Sequence, residues 1–209
     1  MTDVVKGANN AGRGHSSDER TSNGTRAMMI EVATRLFGEN GYSGTTVRDI
    51  ATQVGILPGS LYAHIGGKEE MLLEIVSSGI DRFVAMVDSV PPNLAPRERL
   101  RSMIREHLKV VAANPQWAQV VFHQWRYLSE ENQTLVRKKR GGYEKCFADV
   151  IRKGVHSGDF TENLDQHVTI LVLLGSLNWS AEWLSPNDRR LDIICDLFAD
   201  TVLNGLVAR

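Results

Sequence analysis

Apolar residues recur along this chain at helical spacing. Met29, Ala33, Leu36 and Phe37 fall at i, i+4, i+7 and i+8, one face of a helix that starts near Arg26 and ends at Asn40-Gly41. Thr46 opens a second, two-turn helix, with Asp49 three residues later as a capping box and Val47, Ile50, Ala51 and Val54 on one stripe. Gly55 breaks it. Pro58 suits the first position of a third helix, because its missing N–H would find no partner there anyway, and Leu61 and Ile65 give that helix a buried edge. Gly66-Gly67 precedes a long helix whose apolar positions are Leu72, Leu73, Val76, Ile80, Phe83, Val84 and Val87, stopped by Pro91-Pro92. Further helices are predicted at 96–113, 115–128, 130–157, 164–184 and 188–207, divided by Asn114-Pro115, Gly158 and Ser185-Pro186. No segment alternates like a half-buried strand. The pattern predicts an all-α chain in which a compact three-helix unit precedes a larger helical domain.

Residues 1–23 are rich in Gly, Asn and Ser with almost nothing apolar after Val5, and are expected to form a disordered arm. The domain boundaries predicted are 1–23 for the arm, 24–68 for the three-helix unit and 69–209 for the second domain. With 209 residues and 42% hydrophobic content the chain can bury a sizeable core. Its 24 basic and 25 acidic residues nearly cancel, so any nucleic-acid site must be local rather than a matter of bulk charge. The longest apolar run, Val168–Leu177, is about half the roughly 20 residues a membrane span needs, and no apolar leader follows Met1. A soluble cytoplasmic protein without a membrane partner is expected. Cys146 and Cys195 lie far apart with no metal-ligand spacing around them, which argues against a disulfide framework or a zinc site and for two small buried hydrophobes; no cofactor is implied.

Two short helices joined through Gly55 make a helix-turn-helix, the arrangement that lays its second helix in the DNA major groove. Pro58, Gly59 and Ser60 are small where a recognition helix must approach base edges. Tyr62 and His64 can donate to phosphates, and Arg48 and Lys68 add cations at either end of the same surface. Thr46 is explained by capping alone, or by capping together with a phosphate contact. Lys6, Arg13 and Arg20 in the arm are either a solvated tail or a minor-groove contact.

Gly44-Thr45-Thr46-Val47-Arg48-Asp49-Ile50-Ala51, Val54-Gly55-Ile56, Gly59-Ser60-Leu61-Tyr62-Ala63-His64 and Lys68-Glu69-Glu70-Met71-Leu72 together resemble the DNA-binding domain of the TetR family of bacterial repressors. The resemblance spans about 45 residues; Ile65 departs from it, standing where that family usually has phenylalanine. It implies a homodimer on a palindromic double-stranded operator and release when a ligand in the second domain spreads the two DNA-reading heads. Thr46, Arg48, Pro58, Gly59, Ser60, Tyr62, His64 and Lys68 are the DNA-binding candidates.

In the second domain, aromatic residues mingle with polar ones between 115 and 184. Most would serve as core, but Phe122, His123, Trp125, Arg126, Tyr143, Asn178 and Trp179 also suit a pocket that orients a largely apolar guest. The stretches Phe122–Ser129, Leu174–Trp179 and Trp183–Pro186 resemble the ligand domain of a TetR subgroup that regulates fatty-acid and related acyl-CoA catabolism. An acyl-CoA effector would need cations for its phosphates, and the run Arg137-Lys138-Lys139-Arg140 is either that site or a solvated helix face. Glu182 beside an apolar pocket suits a cationic guest instead, which keeps a multidrug-type regulator induced by lipophilic cations as the alternative. The last two helices, with Ile170, Leu171, Leu174 and Leu177, then Leu191, Ile194, Leu197, Phe198, Val202 and Leu206, are apolar over too wide an arc for one neighbour each, and a dimer is expected to cover the excess. An all-α enzyme is the competing class; no Glu-x-x-His pair, phosphate loop or nucleophile elbow supports it.

Overall fold

The computed structural model describes residues 15–206 except position 186, with side chains from residue 23 onward. Among these residues all regular secondary structure is helical: α1 His15–Gly44, α2 Val47–Val54, α3 Pro58–Leu61, α4 Lys68–Ser89, α5 Pro96–Ala113, α6 Pro115–His123, α7 Glu130–Ser157, α8 Gln166–Trp179 and α9 Leu191–Leu206. None of these helices is long and apolar enough to cross a membrane.

α1 begins at His15, so residues 15–23 are helical where the composition suggested a disordered arm. Residues 1–14, with Lys6 and Arg13, lie outside the described residues. The predicted stop at Asn40-Gly41 is present as a kink, Gly41 having φ 74° and ψ 159°. The buried Thr45 secures the following turn by donating its hydroxyl to the carbonyls of Leu36 and Gly41.

Three predicted helices are shorter than their apolar spacing suggested. Beyond Leu61 the third continues only as tight turns, Ala63 and His64 donating to the carbonyls three residues back, Ser60 and Leu61. α6 gives way to a single 3-10 turn over Gln124–Tyr127, and α8 to another over Ser180–Glu182. In each place i→i−3 bonds replace i→i−4 bonds, which keeps apolar residues on the core side while redirecting the chain.

α4 runs through the middle of the molecule, burying Met71, Leu72, Ile75, Val76, Ile80, Phe83 and Val87 against α1 on one side and α5, α6 and α7 on the other. α9 lies along α5, where Arg101 pairs with Asp200 and Arg105 with Asp196 and Asp192. Cys195 is fully buried and Cys146 half-buried, both as free thiols.

One close approach has a measurable cost. A Cβ on Gly154 of α7 would lie 2.2 and 2.3 Å from ring atoms of the buried Phe160. Gly154→Ala gains up to about 1 kcal/mol of helix propensity but overpacks a rigid ring, which costs about 1–3 kcal/mol. Net destabilisation is expected in urea unfolding. Gly141→Ala in the same helix meets nothing within 4 Å and should be stabilising.

Candidate nucleic-acid interface and effector chamber

The helix-turn-helix is built by local hydrogen bonds. Thr46 caps α2: its Oγ1 accepts from the Asp49 N–H at 3.1 Å, while the Asp49 carboxylate accepts from the Thr46 N–H at 2.8 Å and hydroxyl at 2.7 Å. Those bonds hold the Asp49 carboxyl below its usual range. Gly55 ends α2 at φ 81°, donating to Ala51 and Thr52 while Ile56 donates to Ala51, a closure that suits glycine. Ile50, Ala51, Leu61 and Ile65 are buried beneath the unit, and Arg48, Pro58, Gly59, Ser60 and Tyr62 are left on its exposed side.

Two of the predicted DNA residues have work inside the protein. The Lys68 ammonium donates to the carbonyls of Tyr42 and Thr45, each at 2.8 Å, and sits 4.0 Å from the Tyr42 ring centroid. Burial lowers its pKa. Lys68 therefore fastens the end of α1 to α4, leaving it one proton for an outside acceptor. His64 is half-buried, and its carbonyl accepts from Arg26 at 2.7 Å. Arg26, absent from the sequence-based candidates, also pairs with Glu70 and Glu74 of α4 and so fixes the recognition segment from behind. Leu57 was missed as well. It is 75% exposed just ahead of Pro58, an apolar tip of the kind that meets a thymine methyl in the major groove. Its legible signal is a large aliphatic that belongs to neither helical stripe.

The predicted ligand residues divide into three groups. Phe122, Tyr143 and Asn178 meet at a cavity whose wall is completed by Ile80, Phe83, Val121, Arg140, Glu144 and Leu174. The space is about 30 Å³, room for about two water molecules. Trp125 and Arg126 stand beside it: the guanidinium carbons of Arg126 and Arg140 lie 5.6 and 5.3 Å from the Trp125 ring. Burial depresses the Arg140 pKa, Glu144 opposes the shift and Arg126 adds to it. The remaining three candidates lie outside the cavity. His123 and Glu182 face each other at 3.5 Å, and Trp179 is 60% exposed on the outer side of α8. Burial lowers the His123 pKa while Glu182 raises it.

The basic run is divided in the same way. Arg137 bonds Gln133 and Thr134 of its own helix, Lys139 pairs with Asp81 at 2.7 Å, and only Arg140 reaches the cavity. A four-cation phosphate site is therefore replaced by an arginine pair, Arg126 and Arg140, flanking one indole. The acid thought to favour a cationic guest faces the His123 imidazole and is not part of the cavity wall.

Several contacts join the chamber's surroundings to the DNA-reading unit. Gln124 donates to the Phe37 carbonyl at 2.8 Å and Tyr127 stacks on Tyr42 at 5.5 Å. Glu69, at the start of α4, accepts from the Ser129 N–H and from Asn132. Those bonds hold its carboxyl below the usual range.

Comparison with known proteins agrees with this architecture. Residues 29–75 match the bacterial regulatory proteins of the tetR family, and residues 93–206 match the tetracyclin repressor-like C-terminal domain. The transcriptional repressor KstR2 of Mycobacterium tuberculosis is 32% identical over 168 residues, covering 78% of this chain and 83% of that protein. A tetR-family regulator from Rhodococcus RHA1 superposes with a TM-score of 0.82 at 26% identity, covering 88% of this chain and 98% of that one. AibR in complex with isovaleryl coenzyme A and operator DNA shares the fold, with a TM-score of 0.76 at 24% identity over 87% of this chain and 97% of its own. With both of its parts matched, the chain belongs to the tetR family and is a DNA-binding transcriptional regulator rather than an enzyme.

Proposed function

We propose that this regulator binds a two-fold operator as a homodimer and is released when an amphiphilic effector, an acyl-CoA in the first instance, opens the chamber between α4, α6, α7 and α8. The observation that carries this reading is the pairing of aromatic and aliphatic walls with a largely buried arginine, Arg140, and its neighbour Arg126 on Trp125. An apolar guest with an anionic end satisfies both. The coenzyme A complex of a relative with the same fold supports the same class. A cavity of about 30 Å³ cannot hold such a guest as it stands. Entry must push Ile80 and Phe83, and with them α4, which begins at the DNA-reading unit. A ligand shifts the operator equilibrium only by its differential affinity for the displaced conformation.

Saturating long-chain acyl-CoA is expected to lower operator affinity about tenfold or more, the usual scale of such coupling, with a change in Trp125 fluorescence. Arg140→Gln should weaken the acyl-CoA effect and leave operator binding in its absence unchanged. Release by tetraphenylphosphonium but by no acyl-CoA would instead favour the multidrug-type reading.

On the DNA side, Tyr62→Phe removes one exposed hydroxyl and should weaken operator binding by about fivefold, the worth of one hydrogen bond, at unchanged thermal stability. Lys68→Ala should lower affinity and stability together, because it also frees the carbonyls of Tyr42 and Thr45. Ser60 substitution should change which sequence is preferred. Unchanged affinity in both the Tyr62 and Lys68 variants would move the DNA surface elsewhere.

A further inference from the structure

Two residues at the tip of the helix-turn-helix have no account within the chain itself. Leu57 is 75% exposed, and it belongs neither to the core nor to the partly buried residues packed on it, although its neighbour Ile56 does. It also holds the capping position of α3 without a side-chain hydrogen bond. Ser, Thr, Asp or Asn there would give the turn a bond that leucine cannot make. The chain thus forgoes a cap and sets a large aliphatic side chain in water, with no packing gained.

Gly59, two residues on, is exposed as well. Its φ is not positive, and a Cβ built on it would meet nothing within 4 Å. Neither backbone conformation nor internal packing calls for glycine, which is less stable than alanine inside a helix. What glycine does supply is room for a surface that approaches from outside. Between the two residues, Pro58 has no side-chain donor or acceptor. The side chains of Leu57-Pro58-Gly59 therefore offer base edges only C–H groups and shape. In the major groove the apolar group that such a surface can distinguish is the C5-methyl of thymine.

We infer that Leu57 is a specificity-determining residue for operator DNA that packs its aliphatic end on a thymine C5-methyl, with Gly59 as the gap that lets the turn come close enough. Leu57 can act so only if the DNA lies on this side of the helix-turn-helix, as proposed above; the effector chamber plays no part.

The test uses the full chain and a tight-binding duplex that the wild-type protein selects from a random-sequence pool. Each thymine is replaced singly by deoxyuridine, which removes the methyl and keeps every hydrogen-bonding group. At one thymine, or at its mate in the other half of a two-fold site, affinity should fall about fourfold, the worth of one buried methyl. In Leu57→Ala that penalty should vanish at unchanged thermal stability, since the side chain packs on nothing in the protein. Gly59→Ala should bind the selected duplex about tenfold more weakly, yet unfold at the same temperature or higher. A duplex in which no deoxyuridine lowers affinity, or a penalty that persists in Leu57→Ala, overturns the inference. Wild-type affinity in Gly59→Ala overturns it too, because the close approach is then not made. Should Tyr62→Phe weaken binding while every deoxyuridine is silent, the DNA surface stands and the methyl contact alone is struck.

Discussion

Leu171→Glu is expected to turn the protein into a monomer and to lower its operator affinity about a hundredfold or more. On α8, Val168, Leu171, Val172, Gly175 and Trp179 recur at i, i+3, i+4, i+7 and i+11, all exposed, with Leu171 at 59%. Ile193 and Leu197 of α9 add a second exposed row, Leu197 at 62%. A continuous apolar face of this kind marks a partner surface, and an unpaired charge within it is costly. Two heads tethered to one another bind two half-sites at high effective concentration, a gain of roughly 10²–10⁴ that a monomer forfeits. Sedimentation velocity at micromolar concentration, followed by operator titration, checks both halves. A monomeric wild type sinks the idea. Leu174 is not an equivalent target: it is 7% exposed and lines the chamber, so a charge there should damage the core first.

Stability should fall steeply with acidification well before carboxylates begin to titrate. Burial depresses the His107 pKa from 6.5 to about 3, with the Leu177 carbonyl opposing. The folded state therefore keeps this histidine neutral where the unfolded chain protonates it. The full stability is present above the unfolded value of about 6.5 and is lost as pH drops toward the folded one, at about 1.4 kcal/mol per pH unit. Between pH 7 and pH 5 the loss is on the order of 2 kcal/mol. Asp49, Glu69 and Glu70 have lowered values, so their contributions are full above the ordinary carboxylate range and disappear only below it. His123 acts in the histidine window too, but it is over a third exposed and solvent screens it. Urea unfolding at pH 7 and pH 5 measures the slope, and in His107→Phe most of it should vanish; a slope equal to that of wild type refutes the assignment.

The DNA-reading unit was legible in the sequence because its determinants are local. The Thr46–Asp49 box, the left-handed Gly55 and the leading Pro58 each act within a few residues, so spacing alone places them. The chamber is made by helices distant in sequence. Phe83 comes from α4, Phe122 from α6, Tyr143 from α7 and Asn178 from α8, and aromatic composition does not say which face of a helix each occupies. Trp179 shows the limit: it shares a segment with Asn178, yet a step of about 100° around the helix puts it on the outer row. The same rotation scatters Arg137, Lys139 and Arg140, which a run of charge makes look like one site. His107 carried a usable signal, a histidine in register with Leu100, Met103, Ile104, Leu108 and Val111 on a buried stripe.

The carboxylates of α9 that meet α5, Asp192, Asp196 and Asp200, are four residues apart and take Arg101 and Arg105 as partners. One helix thus carries a row of ion pairs on its inner side and part of the proposed dimer face on its outer side. Such pairs are individually weak and screened by salt, so ionic strength loosens the seat of the dimer face while it competes for the DNA. At dilute protein the slope of log K against log salt then overstates the number of phosphates touched, and at concentrations that keep the dimer assembled it should fall back to that number.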